Sequence, residues 1–294
     1  MKTLVIGGTG LVGSQVVREL LQRNVEVTVL TRSAEKAKFL PSGVQAVVGD
    51  LLRVDTVRSI FKGVEGVFLL NPVSPTETQE GLMAVTGARN AGVRRLVYQS
   101  IHAVEGAAFL PHFGSKVGIE AGIKASGIPY TIVRPNNFFQ VDHWFKDVML
   151  QQGVYPQPLG SAGLSRVDIR DIAEAAAIAL TAGGHEGQTY NLVGPDVLTG
   201  PGTAEAWGRA LRREIRYAGE DMDAWERQSL QYLPDLLVFD FRLMYEFFQK
   251  QGLRATREDV DRLTKVLGHP PRRFQDFARE TAEMWTRTPS GVTA

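Results

Sequence analysis

Apolar positions along this chain switch repeatedly between a period of two and a period of about 3.6 residues, which predicts strands alternating with helices. "TLVIGG" (3–8) is a short apolar strand closing on glycines. "LVGSQVVRELLQRN" (11–24) then places Leu11, Val12, Val16, Val17, Leu20 and Leu21 at helical spacing. "VEVTVLTR" (25–32) is rich in β-branched residues and reads as a strand, and "SAEKAKFL" as a short helix with Ser33 at its N-cap. A third strand (44–50), a helix (53–63) closed by Gly63 and a fourth strand (66–70) follow. Then come a helix (78–92), a strand (94–100), a helix (112–127) ending at Gly127 and a strand (130–135). Such alternation implies parallel pairing through right-handed crossovers. Nearly continuous apolar strands imply helices on both sheet faces. The expected fold is α/β, a doubly wound parallel sheet.

Beyond residue 136 the alternation loosens. "FFQVDHWFKDVMLQQG" is aromatic-rich and helical in pattern. Residues 166–184 hold an Ala-rich helix, expected to be capped by Asp171 or a near neighbour. "QTYNLVG" (188–194) is a strand, "GTAEAWGRALRREI" a helix, and "RYAG" a further short strand. From 221 onward the pattern is amphipathic helices. The expected organisation is a nucleotide-binding domain over 1–150, its sheet completed by 165–200, and a smaller, mostly helical substrate lobe over 200–294, with the ligand cleft between the two.

"GGTGLVG" (7–13) contains Gly8-x-Gly10-x-x-Gly13 between a strand and a helix at the start of a βαβ unit. That context suits dinucleotide binding, because glycines let the backbone approach a diphosphate lying on the helix N-terminus. Gly7, Thr9, Gly10, Leu11, Val12 and Gly13 are the expected contacts. A plain turn is the alternative. At the end of the second strand an acid would select NAD, whereas here Thr31 is followed by Arg32 and Ser33. A guanidinium with a neighbouring hydroxyl suits an added phosphate, so NADP is the expected cofactor. Arg32 stacking on adenine or facing solvent is the alternative. Ligands of open α/β sheets lie beyond the carboxyl ends of the strands, which adds Asp50 and Leu51 near the adenine and Asn71 and Pro72 near the second ribose.

Charge adds little. The 294 residues carry a net +1, with +4 in residues 1–150 and −3 in the remainder, so no strong basic excess points to nucleic acid. No cysteine is present, which excludes disulfides and thiol chemistry, and the histidines show no metal-ligand spacing. The first residues lack a signal-like apolar region and no apolar run is long enough for a bilayer, so a cytoplasmic protein with no membrane association is expected.

His112, Lys116 and Glu120 fall at i, i+4 and i+8 of one helix, on one face. Together with the Gly7-x-x-Gly10-x-x-Gly13 loop, "LTR", "GDL", "VYQS", "HFGSK…IE" and "SGIPYTIVRPNNFF", this face makes the chain resemble the atypical short-chain dehydrogenase/reductases of the NmrA-like branch. The resemblance runs in order through residues 1–140, extends to about 200, and is loose over the last ninety. Typical members of the superfamily carry Ser, Tyr and Lys. Here Lys116 stands at the lysine position, Ser100 close to the serine position, and His112 where the tyrosine would be. The resemblance implies that Lys116 holds the nicotinamide ribose. His112 is either a proton donor or a residue that caps the helix or lines the cleft. Pro135 and, after the sixth strand, Asn136, Asn137, Phe138 and Phe139 are expected to approach the nicotinamide end, while Phe138, Phe139, Trp144 and Phe145 either supply apolar area for a flat substrate or are simply core. Two functions fit: an NADPH-dependent reductase of a quinone-like or dye-like aromatic acceptor, and a catalytically silent redox sensor acting on a protein partner.

Overall fold

In the computed structural model residues 1–287 are described, so residues 288–294 of the expected C-terminal lobe lie outside the described residues. The chain forms two compact units. The first comprises Met1–Pro135, Ile169–Leu192 and Asp261–Pro270. It is built on β1 (Lys2–Ile6), β2 (Glu26–Thr31), β3 (Gln45–Val48), β4 (Gly66–Leu69), β5 (Arg95–Gln99), β6 (Tyr130–Pro135) and β8 (Gln188–Leu192). These make one seven-stranded sheet in the order β3-β2-β1-β4-β5-β6-β8. Every pairing is parallel. The order reverses at β1, the kind of switch point beside which open α/β sheets take their ligands. The doubly wound fold expected from the alternation is present.

The helices of this unit are α1 (Leu11–Gln22), α2 (Ala34–Ala37), α3 (Val54–Ile60), α4 (Glu77–Asn90), α5 (Pro111–Ser126), α7 (Ile169–Thr181) and α11 (Arg257–Leu267), the last of which begins before Asp261. Ser33 caps α2 by accepting the Lys36 N–H, as its position promised. The Ala-rich helix α7 begins at Ile169, so Asp171 sits inside its first turn rather than at the cap. One face of the sheet, with Leu4, Ile6, Val67, Leu69, Leu96 and Ile132, packs with Val57, Ile60, Ala84, Ala88, Ile119 and Ile123 of α3, α4 and α5. Alternation sends Val5, Val29 and Val97 to the other face, where α1 and α7 pack on each other.

Helices α4 and α5 approach unusually closely. A Cβ on Gly81 would stand 2.5 Å from Ile119, and one on Gly122 would stand 2.4 Å from Leu82. This contact sets where the first turn of α4 lies against the middle of α5. Thr78 Oγ1 donates across it to the Ser115 carbonyl.

The second unit comprises Asn136–Asp168, Val193–Val260 and the chain from Pro271 onward. The stretch expected to be one aromatic helix is a 3-10 turn (Phe139–Phe145) leading into α6 (Lys146–Gln152). A two-residue strand, β7 (Val154–Tyr155), pairs in parallel with β9 (Arg216–Tyr217), the "RYAG" segment. The remaining helices are α8 (Gly200–Leu211), α9 (Met222–Ser229), α10 (Asp235–Gln251) and α12 (Phe274–Thr286). No helix among the described residues is long and apolar enough to cross a membrane.

The core of this unit is built around a charge. Arg166 and Asp142 are both fully buried, with Nη2 donating to Oδ1 at 2.7 Å. Trp207 Nε1 donates to the same carboxylate at 2.8 Å and the Tyr155 hydroxyl lies 3.0 Å from it. Burial alone would disfavour the charged guanidinium, but Asp142 outweighs it and holds Arg166 above its ordinary pKa. Removing one partner of a buried pair leaves an uncompensated charge, which costs about 3–5 kcal/mol. Asp142→Ala is therefore expected to lower stability by about that amount in denaturant unfolding, a far larger loss than the surface substitution Glu205→Ala produces at an exposed i,i+4 pair.

Candidate functional site

The turn after β1 is held by backbone contact. Gly7 adopts φ +82°, and its added Cβ would lie 2.6 Å from the Leu70 carbonyl oxygen. A Cβ on Gly13 would lie 2.2 Å from the Gly7 carbonyl oxygen. Glycine is thus required at both positions, because the obstacle is backbone and cannot rotate away. Gly10 N–H donates to Gly7 O, and Gly10 is the N-cap of α1. The cap carries no side-chain hydrogen bond and the first turn holds no acid. The N–H groups of Leu11, Val12 and Gly13 therefore meet no side-chain acceptor at the cap, and the helix dipole adds to their attraction for an anion. The Val12 side chain lies in the core, so Val12 has only its backbone to offer, while Thr9 is half-buried and Leu11 exposed.

Because β1, β4 and β5 are adjacent and parallel, their carboxyl ends line up beside this turn. Asn71, two residues past β4, is buried with neither amide atom hydrogen-bonded. At the end of β5, Gln99 Oε1 and the Tyr98 hydroxyl also lack a hydrogen-bond partner, and Ser100 Oγ has the Glu120 carboxylate beside it. Buried polar side chains in folded proteins almost always find partners. A cluster of them at one sheet edge is the mark of a place where a ligand's polar groups belong. Pro72, beside Asn71, is exposed.

Helix α5 brings a charge to the same edge. Lys116 Nζ lies 2.6 Å from Glu77 Oε1, with side-chain exposures of 8% and 1%. Glu77 is the first residue of α4, where the helix dipole favours a carboxylate. His112, one turn before Lys116, is buried with its ring edge-on to Phe113 at 4.7 Å. Glu120, one turn after, is buried too. The Arg134 guanidinium reaches it at 2.6 Å and grips Glu105 with its other edge. Burial alone would raise the Glu120 carboxyl; hydrogen bonds from Arg134, with smaller help from Ser100 and Lys124, bring it below the ordinary carboxylate range. Burial, reinforced by Glu77 and Glu120, pushes the Tyr98 phenol well above its ordinary value. The face marked by His112, Lys116 and Glu120 is therefore buried and charged, not a wet surface.

The remaining candidates fall into two places. At the ends of β2 and β3, Arg32 is exposed, the Ser33 hydroxyl serves as the α2 cap, Asp50 Oδ1 accepts the Leu52 N–H in a local turn, and Leu51 is core. At the end of β6, Pro135 is buried. In the second unit, Asn137 Oδ1 and the Phe138 carbonyl both accept from Arg166, at 2.7 Å each. Phe138 is half-buried, whereas Phe139 is core against Phe274 and Phe277 and offers no free face. Trp144 is exposed and Phe145 half-buried. Glu77 and Tyr98 carried no mark in the sequence: an acid in a first helical turn and an aromatic in a strand are both commonplace. Arg134 did carry one, since a guanidinium inside the apolar run "YTIVRP" demands a buried acid.

Sheet order, glycine turn and switch point define a protein of the Rossmann-type class. Within that class the chain belongs to the NmrA-like family, whose model matches residues 1–270. It is 32% identical to the NAD(P)H azoreductase of Xenophilus azovorans over 286 residues, 95% of this chain and 97% of that one. Its fold is similar to that of NADPH-dependent quinone oxidoreductase QOR2 of Escherichia coli in complex with NADPH (TM-score 0.84, 22% identity, 95% of this chain and 99% of that one). It is similar also to that of the triphenylmethane reductase of Citrobacter sp. in complex with NADP(H) (TM-score 0.82, 23% identity, 95% of this chain and 99% of that one).

The lowered Glu120 value fixes a sign. A carboxyl whose folded pKa lies below its unfolded one contributes stability above the unfolded value, about 4.3 for glutamate, and loses it as pH falls through the folded value. Glu120→Gln is expected to flatten the acid limb of the stability profile below that pH, measured by denaturant unfolding across a pH series. A limb as steep as that of the unmodified protein would contradict the assignment.

Proposed function

We propose that this protein binds NADPH at the carboxyl edge of its sheet and reduces a flat, readily reduced acceptor such as a quinone or an azo dye. The observation that carries the reading is the pair of buried polar side chains with unmade hydrogen bonds, Asn71 and Gln99, beside a turn in which Gly7 and Gly13 admit no Cβ. The residues fit a dinucleotide. The capless N-terminus of α1 offers N–H donors to the diphosphate. Arg32, exposed at the end of β2 with no acid beside it, suits the adenosine 2′-phosphate, with Ser33 next to it. Asp50 and Leu51 flank the adenine, and Asn71 and Pro72 the second ribose. Lys116 has three N–H donors and gives one to Glu77, leaving two for vicinal ribose hydroxyls. Pro135, Asn137 and Phe138 are assigned to the nicotinamide end.

When bound, the cofactor supplies a hydride from its nicotinamide. The chain's own part is to hold and orient, which is where much of the rate enhancement of such a transfer resides. No tyrosine stands four residues before Lys116, and Tyr98, a buried phenol within reach of the Glu77 charge, is shifted upward, away from the range of a useful acid. That favours acceptors whose reduction needs no strong proton donor in the transition state, and ranks quinones and azo dyes above ketones. A proton reaches the product from water or from His112.

NADPH oxidation followed spectrophotometrically against a panel of quinones and azo dyes tests the reading. Turnover with at least one acceptor is expected. Tight NADPH binding without turnover across the panel would overturn the reductase and leave a cofactor-sensing protein. Arg32→Ala is expected to weaken NADPH binding about tenfold, the worth of one charge-assisted phosphate contact, and to leave NADH binding unchanged.

A further inference from the structure

The Lys116–Glu77 pair is an unusual thing to bury. Both side chains are nearly inaccessible and lie 2.6 Å apart, and among the described residues Glu77 is the one hydrogen-bond acceptor that Lys116 Nζ finds. Replacing a buried ion pair by apolar groups of similar shape is commonly neutral or stabilising, so fold stability alone gives little reason for this one. The packing that creates it is also specific. Gly81 and Gly122 let α4 and α5 close on each other, each glycine backbone receiving a side chain of the facing helix (Ile119 and Leu82), and this brings the first turn of α4 to the middle of α5. The pair then stands at the edge where Asn71 and Gln99 have unsatisfied polar atoms.

We propose that Glu77 is a positioning residue: its buried carboxylate fixes the Lys116 ammonium at the carboxyl ends of β4 and β5, so that the two remaining N–H donors face the ribose hydroxyls of the dinucleotide. The proposal rests on the cofactor reading above. A lysine side chain has four rotatable bonds, and a free ammonium would be distributed over many rotamers and drawn to water. A carboxylate on a neighbouring helix removes that freedom before the ligand arrives. It also cancels the charge locally, so Lys116 acts through directed hydrogen bonds rather than as a general attractor of anions.

The test is a double-mutant cycle read by NADPH affinity, from quenching of intrinsic tryptophan fluorescence, on Glu77→Gln, Lys116→Met and the double variant, with a thermal melt of each. Glu77→Gln and Lys116→Met are each expected to raise the dissociation constant about tenfold, the worth of a hydrogen bond to a charged group. The double variant should bind no more than about twofold more weakly than Lys116→Met alone, because Glu77 acts on the nucleotide through the lysine. It should also melt above Glu77→Gln, since the uncompensated ammonium is gone, while its affinity stays low. A purely structural pair would instead recover affinity along with stability. Should Glu77→Gln fail to fold, Glu77→Asp, which keeps the charge on a shorter arm, takes its place in the cycle; it is expected to weaken binding at least about threefold, and only where Lys116 is present.

Glu77→Gln binding within about twofold of the unmodified protein, or an equal loss in the Lys116→Met background, would overturn the proposal and leave the cofactor reading standing. Absence of NADPH binding by the unmodified protein would overturn both.

Discussion

An ammonium group can be held inside a protein only if a carboxylate is brought to it, and in this chain that requirement organises the first unit. Lys116 lies on α5 and Glu77 opens α4, and the two meet because glycines at 81 and 122 let the helices pack backbone against side chain. The same helix contact buries Ile119 and Ile123 over the sheet. It also lays one face of α5 along the end of β5, where Glu120 receives Arg134 from β6. Two buried ion pairs one helical turn apart thus border the carboxyl edge of the sheet. Neither is a strong stabilising device in itself, since desolvation offsets most of the attraction. Their effect is to fix geometry.

Parallel pairing does the rest. Strands that all run the same way end together, and the polar residues just beyond them cannot be served by the ladder. Asn71 and Gln99 are left with unmade hydrogen bonds at that edge, while the turn from β1 into α1 presents backbone N–H groups with no capping side chain. A folded protein tolerates such a cluster where something from outside completes it. The proposed NADPH completes it with a diphosphate, two riboses and an amide. The second unit shows the same economy at its centre, where Arg166 joins Asp142, Asn137 and Phe138 in one hydrogen-bonded knot.

The sheet of the first unit was legible because its signals are local: apolar runs of strand length, helical spacing between them, and glycines at many of the junctions. The edge strand β3 was legible too, although its side chains are largely exposed. Three things were not. The 3-10 turn at Phe139–Phe145 shares its apolar spacing with a helix and differs only in winding. The cap of α7 was legible only as Asp171 or a near neighbour, because an acid fits a first turn, where Asp171 sits, as well as it fits a cap. Most of all, pairing partners were hidden. Lys116 stood out by its place in a recognisable helix, but its partner lies 39 positions earlier, and only the α4–α5 contact shows that the two touch. The alternating glycines of "GSKVGIEAGIK" are the one trace of that contact in the sequence.

The central claim is that the carboxyl edge of this sheet is completed by a phosphorylated nicotinamide dinucleotide. Titration calorimetry of the purified protein with NADPH and with NADH tests it most directly. The account expects saturable, one-site binding of NADPH with NADH clearly weaker. No measurable binding of either nucleotide, or equal affinity for the two, would contradict it.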